Sequence, residues 1–160
     1  MLIPFDSISE DSRIWIFPSS RKFYPQELTS IQKSLEDFLN NWKADTHPIE
    51  AAFTIKYDRF IIVAVDESQQ SLDLESHDAL SNLVQELEKT FSVILIDKIN
   101  VCFKQGEYVQ YKELKAFKKL IKNRGVSKNT IVFDNMINTK GMLKEDWEIY
   151  MSESWLSYLL

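Results

Sequence analysis

The chain has 160 residues, and its 19 Lys+Arg and 24 Asp+Glu give a net charge of −5. With 44% hydrophobic and 27% charged residues, it has an ordinary globular composition, which excludes low-complexity, collagen-like and intrinsically disordered chains. The lone Cys102 cannot form an internal disulfide, and the longest apolar run, 60–65, is far short of the roughly 20 residues that span a bilayer. We therefore expect a cytoplasmic protein with no membrane span and no signal peptide.

The first part of the chain predicts a strand, a helix, two strands and a second helix. Residues 13–17 are β-branched or aromatic on both faces, and residues 25–43 place apolar side chains at steps of three and four. Residues 51–57 alternate as in a half-exposed strand, whereas 60–65 are all apolar and predict a strand covered on both faces. The second helix, 76–90, has its first residue, a serine, as the predicted N-cap.

A further strand near residues 94–103 would complete the order of a split βαβ, or ferredoxin-like, core. We therefore predict an α+β fold with a ferredoxin-like core, organised as a single domain, 1–160. One open face is usual for such a sheet. Because residues 60–65 are apolar throughout, we expect the last third of the chain, or a second subunit, to cover that face.

The last third predicts a C-terminal helix and a β-hairpin that extend this core. Residues 108–111 read as a short strand and 113–123 as a third helix, with Gly125 as its C-terminal cap. Residues 130–137 read as a strand, and the turn-forming run 138–141 predicts that the chain returns as a hairpin.

Charged side chains follow two strands that are adjacent and parallel in a split βαβ core. Arg21 and Lys22 come after the first strand, Asp66 and Glu67 after the third, and His77 lies in the acidic stretch beyond them. They predict a polar cleft for a small anion or a divalent metal, with His77 as ligand or base. A solvated ion-pair network at the sheet edge is the alternative. No closed metal centre or cofactor site is predicted, because the two histidines and the cysteine are far apart in sequence.

A second charged region lies in residues 104–128, which hold eight basic and two acidic residues. Four of the cations are predicted to lie mostly away from the apolar stripe of the third helix: Lys115, Lys118, Lys119 and Lys122. Together with Arg124, they are the residues predicted to bind an anionic partner. This pattern is typical of a surface for RNA, DNA or an acidic protein, with Tyr108 and Tyr111 placed to stack on bases. A solvated helix face, basic toward its C-terminal end, is the alternative.

The run from Ile61 to Glu67 has the form of a Walker B strand, in which the aspartate helps to hold Mg²⁺ and the glutamate polarises water. A nucleotide site also needs a glycine-rich phosphate loop that ends in Lys-Ser or Lys-Thr. None of the three glycines has this context. Nucleotide hydrolysis by this machinery is therefore not predicted.

Several strings spread over most of the chain are distinctive together. They include Met1-Leu-Ile-Pro-Phe-Asp6, Arg13-Ile-Trp15, Lys104-Gln-Gly-Glu-Tyr108, Asn138-Thr139-Lys140 and Ser152-Glu-Ser-Trp155. In these strings the chain resembles a small bacterial family of about this length that is often labelled "ABC transporter ATPase". The resemblance brings no established activity with it, so no functional residue is carried over.

The leading functional prediction is a non-enzymatic binding or self-association module, whose partner is an unidentified protein or a second copy of the chain. The first alternative is a small-molecule or metal-dependent enzyme that uses the residues at the strand ends. The second alternative is a nucleic-acid binder that acts through the basic helix 112–124.

Overall fold

The computed structural model describes residues 1–97 and 99–160, which divide into two units. Unit 1 comprises Met1–Ile96 with Asn138–Gly141, and unit 2 comprises Asp97–Ile137 with Met142–Leu160. Each unit combines helix with antiparallel sheet, which confirms the mixed α+β class. The organisation as one domain, 1–160, stays a prediction.

Unit 1 contains two α-helices and five strands, besides a short 3-10 helix at Phe5–Ser7. In chain order they are β1 (Arg13–Pro18), α1 (Pro25–Asn41), β2 (Lys43–Ala44), β3 (His47–Pro48), β4 (Glu50–Lys56), β5 (Phe60–Asp66) and α2 (Leu74–Phe91). The three longer strands form one antiparallel sheet in the order β1-β5-β4, and the two short strands pair with each other. The helices and longer strands thus match the predicted elements to within two residues at most boundaries.

The predicted start of α2 is wrong. Asp73, and not Ser76, is the N-cap: its carboxylate accepts a hydrogen bond from the Ser76 backbone N–H at 2.8 Å. The Ser76 hydroxyl in turn accepts one from the Asp73 backbone N–H at 2.9 Å. This reciprocal capping box satisfies two N–H groups that would otherwise lack partners, which favours the earlier start.

The core of unit 1 forms between the two helices and one face of the sheet. The helices contribute apolar residues one turn apart, such as Ile31 and Leu35 of α1 and Leu80 and Val84 of α2. Alternate residues of β5, including Val63, pack against them. Every residue of the apolar run 60–65 is fully buried, so the prediction that both faces of this strand are covered is confirmed.

The split βαβ core is not confirmed. β1 and β5 are neighbours, as predicted, but they are antiparallel: Arg13 lies opposite Val65 and Pro18 lies opposite Phe60. The strand expected to complete this sheet instead begins at Val101 and belongs to the sheet of unit 2. The predicted parallel pairing is therefore wrong. Hydrophobic periodicity reports which segments are strands, but not the direction in which two distant strands run.

Over its described residues, unit 2 contains four strands and one helix: β6 (Val101–Gln105), β7 (Tyr108–Lys112), α3 (Leu114–Lys122), β8 (Ile131–Phe133) and β9 (Glu148–Tyr150). They form an antiparallel sheet in the order β7-β6-β8-β9, in which β9 pairs with β8. The predicted strand 130–137 is shorter, and residues 138–141 do not form the predicted hairpin turn: they belong to unit 1, where their backbone bonds to that of residues 10–14. Across residues 1–97 and 99–160, no helix is both long enough and apolar enough to cross a membrane.

Candidate functional site

The antiparallel pairing of β1 and β5 separates the residues of the predicted cleft. Arg21 and Lys22 follow β1 and lie beside the start of β5, where Lys22 Nζ is 4.0 Å from the carboxylate of Asp58. Asp66 and Glu67 lie at the other end of β5. The paired strands run five residue steps between these ends, or roughly 17 Å at about 3.4 Å per residue.

At the first end, Arg21 is held by contacts within unit 1. Its guanidinium donates two hydrogen bonds to the carboxylate of Glu27, at 2.8 and 2.9 Å, and one to the carbonyl of Phe91 at 2.7 Å. Glu27 also accepts the backbone N–H of Tyr24 at 2.9 Å. The Arg21 hydrogen bonds, with that of Tyr24, lower the pKa of Glu27 to about 2. Arg21 therefore joins the start of α1 to the end of α2.

At the other end, the two carboxylates also have partners within unit 1. Asp66 accepts the backbone N–H of Ser68 at 2.9 Å, and hydrogen bonds from the hydroxyl and N–H of Ser68 lower the pKa of Asp66. Glu67 accepts the backbone N–H of Leu72 at 3.2 Å, and its other oxygen lies 3.6 Å from the guanidinium of Arg13. These contacts order the loop that follows β5.

His77 lies near the same end and contacts an aromatic ring. Its imidazole meets Trp15 edge-on at 5.7 Å, and the guanidinium of Arg13 lies 4.6 Å from the same ring. No three His, Cys, Asp or Glu side chains among the described residues come together as a metal-binding group. The five predicted residues are thus placed at two ends of the sheet, and they do not form one cleft.

The second predicted site lies on α3, which has one apolar and one basic side. Phe117 is fully buried against Phe103, with ring centroids 5.2 Å apart, and Leu114, Leu120 and Ile121 pack on the same core. At 3.6 residues per turn, the four lysines of this helix fall within an arc of about 100° on the opposite side. With the arginine that follows, they form what we call the basic face: Lys115, Lys118, Lys119, Lys122 and Arg124.

All five cations of the basic face are exposed to solvent. In the part of the chain that the structure describes, none of them has an ion-pair partner. Since no carboxylate among the described residues forms an ion pair with these charges, the face presents a concentrated positive field to an approaching anion.

The C-terminal end of α3 places Arg124 in a strained conformation. The Gly125 N–H bonds to the carbonyl of Leu120 at 2.8 Å, and the Arg124 N–H bonds to that of Ile121 at 3.1 Å. These are the two bonds of a Schellman motif, so the predicted capping role of Gly125 is confirmed in part. The left-handed residue, however, is Arg124 at φ +59°, a position that usually favours glycine.

The register of β7 brings one exposed tyrosine to the side of the sheet that α3 covers. The loop Gly106-Glu107, with Gly106 at φ +62°, pairs Gln105 with Tyr108. Directly opposed residues lie on the same face, so alternate residues of β7 share the face of Phe103, against which α3 packs: Tyr108, Gln110 and Lys112. Tyr108 is 75% exposed.

Tyr111, the other tyrosine predicted to stack, lies on the opposite face of β7, across from Cys102. Its hydroxyl donates to the carboxylate of Asp97 and accepts from the side-chain amide of Asn100 at 2.9 Å. Burial, with the Asp97 hydrogen bond, raises the pKa of Tyr111 well above its usual range. Tyr111 is therefore engaged within unit 2, and Tyr108 alone of the two is exposed.

Comparison of the chain with models of protein families, with curated proteins and with solved structures found no match.

Proposed function

We propose that this protein is a binding module for nucleic acid, and that the basic face of unit 2 holds the phosphate backbone. The observation that carries the proposal is the set of five exposed cations on and just after α3 that have no ion-pair partner within the described chain. Lysine and arginine bind phosphates with release of condensed counterions, and this term supplies most of the affinity of non-specific binding.

The distribution of charge supports the same conclusion. The chain as a whole is acidic, which disfavours nucleic acid, but the acidic excess lies in unit 1. Unit 2 has ten Lys+Arg and eight Asp+Glu, a net charge of +2, and seven of these ten cations lie within residues 112–128. A local patch of this kind, and not the net charge of the chain, sets the attraction at the binding surface.

The enzyme alternative has weaker support. It required Arg21, Asp66, Glu67 and His77 to share one cleft, but because β1 and β5 are antiparallel, Arg21 lies at the opposite end of the sheet from the other three. The carboxylates at the Asp66 end cap a loop and contact Arg13. We therefore base no reaction on these residues.

Self-association has one observation in its favour, the apolar residues exposed near the C-terminal end of the described chain. Trp155 is 50% exposed, and Tyr158 and Leu160 are exposed as well. A self-associating chain would elute above its mass of 18.8 kDa in size-exclusion chromatography, with a dependence on concentration. Elution as a monomer at high concentration would remove this second candidate.

A cytoplasmic location, expected from the lone Cys102, would give the protein access to RNA and DNA. Membership of the bacterial family that the chain resembles is proposed without an activity attached to it.

Reversal of two charges on the basic face tests the proposal. The double variant Lys118→Glu/Lys119→Glu should lower the affinity for a dye-labelled 20-nucleotide RNA at least about tenfold at low salt, measured by fluorescence anisotropy. If all five cations contact phosphates, the parent affinity should fall about a hundredfold between ~50 and ~200 mM salt, and the variant should show a shallower slope.

A matched control is available in unit 1. Lys33 of α1 and Lys89 of α2 are exposed helix lysines, so Lys33→Glu/Lys89→Glu makes the same change in net charge on a different surface. We expect this control to retain most of the affinity. Equal losses in the two double variants would show that only net charge matters, and absence of salt-dependent binding in the parent would overturn the proposal.

A further inference from the structure

The basic face has the composition of a phosphate-binding surface. Its four helix positions are all lysine: Lys115, Lys118, Lys119 and Lys122. Readout of base edges in the major groove uses Arg or Lys on G and Asn or Gln on A, and Arg fits the paired contact best because its guanidinium is a rigid fork. The exposed arc of α3 presents no Arg, Asn or Gln, and lysine is a flexible point charge, so the arc suits contacts to the backbone of a nucleic acid.

An aromatic ring lies on the same side of the sheet as this helix. Tyr108 opens β7, shares the face of Phe103 and is 75% exposed. Lys112 lies on the same face four residues further along, or roughly 13 Å at about 3.3 Å per residue, and it is exposed too. The side of the sheet on which α3 packs therefore carries the helix with its lysines and, on edge strand β7, a further cation and an exposed ring.

An exposed ring beside a basic surface is useful to an unpaired strand in particular. Bases in a duplex stack on one another and hide their flat faces, whereas unpaired bases are free to stack on an aromatic side chain. Such stacking tolerates any base, because every base has a flat face. The α3 side of the sheet thus carries the two elements of single-strand binding, cations for the backbone and an exposed ring for stacking.

Resting on the proposed function, we infer that the ligand is single-stranded nucleic acid, with its backbone along the basic face and one base stacked on Tyr108. The complex would show little preference for sequence, because neither lysine–phosphate contact nor stacking distinguishes the bases strongly. Tyr111 takes no part, since its hydroxyl is bonded to Asp97 and Asn100.

The test compares Tyr108→Ala with Tyr150→Ala on three probes: 20-nucleotide oligo(U), 20-nucleotide oligo(dT) and a 20-base-pair duplex. Tyr150 is a fair control, because it is also exposed, at 49%, and also lies on an edge strand of unit 2. We expect the parent to bind the single strands at least about fivefold more tightly than the duplex. Tyr108→Ala should remove at least that factor without altering the dependence of affinity on salt. Tyr108→Phe should retain the preference for single strands, and Tyr150→Ala should have no effect.

The outcomes separate the inference from the proposed function. If Tyr108→Ala changes single-strand affinity less than twofold while Lys118→Glu/Lys119→Glu still lowers it at least about tenfold, the stacking inference is wrong and the proposed function stands. Tighter binding to the duplex, or to a polyglutamate of equal charge, would likewise overturn the inference. Absence of salt-dependent binding to every nucleic-acid probe would overturn both.

Discussion

Unit 1 and unit 2 are built alike, from helices packed on antiparallel sheet, but they differ in sign of charge. Unit 2 has ten Lys+Arg and eight Asp+Glu, whereas unit 1 has nine and sixteen, so their net charges are +2 and −7. The larger difference lies in what the cations contact. Four cations of unit 1 have carboxylate partners, whereas those of the basic face have none within the described residues.

Cations in unit 1 are bound by carboxylates and backbone carbonyls of the same unit. Arg21 bonds to both oxygens of Glu27 and to a backbone carbonyl. Lys140 is buried, donates to the carbonyl of Ile8 at 2.8 Å and lies 3.5 Å from Glu10. A cation with such partners stabilises the fold, and its removal leaves polar groups unsatisfied. A cation without such partners is available to an external anion. The predictions below test this contrast between the two units.

The largest effect is expected where the basic face is attached to its unit. Phe117 is the single buried residue of α3, whereas α1 buries three. Phe117→Ala should therefore lower the free energy of unfolding by about 3–5 kcal/mol, since it removes a fully buried ring. Urea denaturation measures this change, and amide hydrogen exchange should show that α3 loses protection first. Phe117→Leu should cost much less. A loss under about 1 kcal/mol for the alanine variant would contradict the packing described.

An intermediate effect is expected at the structural ion pair of unit 1. Glu27→Gln should lower the free energy of unfolding by about 1–2 kcal/mol at pH 7, because half-exposed Arg21 loses its partner and solvent screens part of the interaction. The fold lowers the pKa of Glu27 from 4.5 to about 2, so the ionised form is the stabilising one. Its contribution is complete above pH 4.5 and is lost as the pH falls toward 2.

Urea denaturation of the parent and of Glu27→Gln between pH 7 and pH 3 measures this dependence. The difference between their free energies of unfolding should become smaller as the pH falls. Glu36→Gln is the control, since Glu36 is exposed on the same helix and belongs to none of the ion pairs of unit 1. If the difference in free energy of unfolding stays constant over this pH range, ionised Glu27 does not stabilise the fold.

A smaller effect, of opposite sign, is expected at Arg124. Glycine adopts a left-handed conformation without steric penalty, so Arg124→Gly should raise the free energy of unfolding by up to about 1 kcal/mol. The same change removes one cation from the basic face and should weaken RNA binding severalfold at low salt. Thermal unfolding and anisotropy on one sample measure both quantities. A variant that gains stability and keeps full affinity would exclude Arg124 from the binding surface.

The smallest effect is expected where the cations have no partner. Lys115→Ala/Lys122→Ala should change the free energy of unfolding by less than about 0.5 kcal/mol, because no ion pair is lost and alanine favours the helix. Its RNA affinity should nevertheless fall. Destabilisation above about 1 kcal/mol would make these lysines structural, and the contrast between the two units would disappear.

The two predicted sites differed in how much long-range information they required. The basic face depends on helical periodicity within nine residues, which the alternation of Leu114, Phe117 and Ile121 with lysines already contains. The cleft of Arg21 and Asp66 depended on the relative direction of strands more than forty residues apart, and that direction was predicted wrongly. The position of Tyr108 on the side of α3 had a local signal that was not used, Gly106 as the first residue of a two-residue hairpin loop.

The sequence by itself determined the helices, most strands, the buried run 60–65 and the separation of apolar from basic residues on α3. Each of these depends on side chains within a few positions of one another, where the periods of helix and strand are fixed by backbone geometry. Only the tertiary structure decided that β1 runs antiparallel to β5, that Val101–Gln105 joins the sheet of unit 2, and which carboxylate each cation meets. These features depend on how segments far apart in the sequence pair and pack. Either strand direction buries the same apolar residues and satisfies the backbone hydrogen bonds about equally well, so the local pattern does not select the direction.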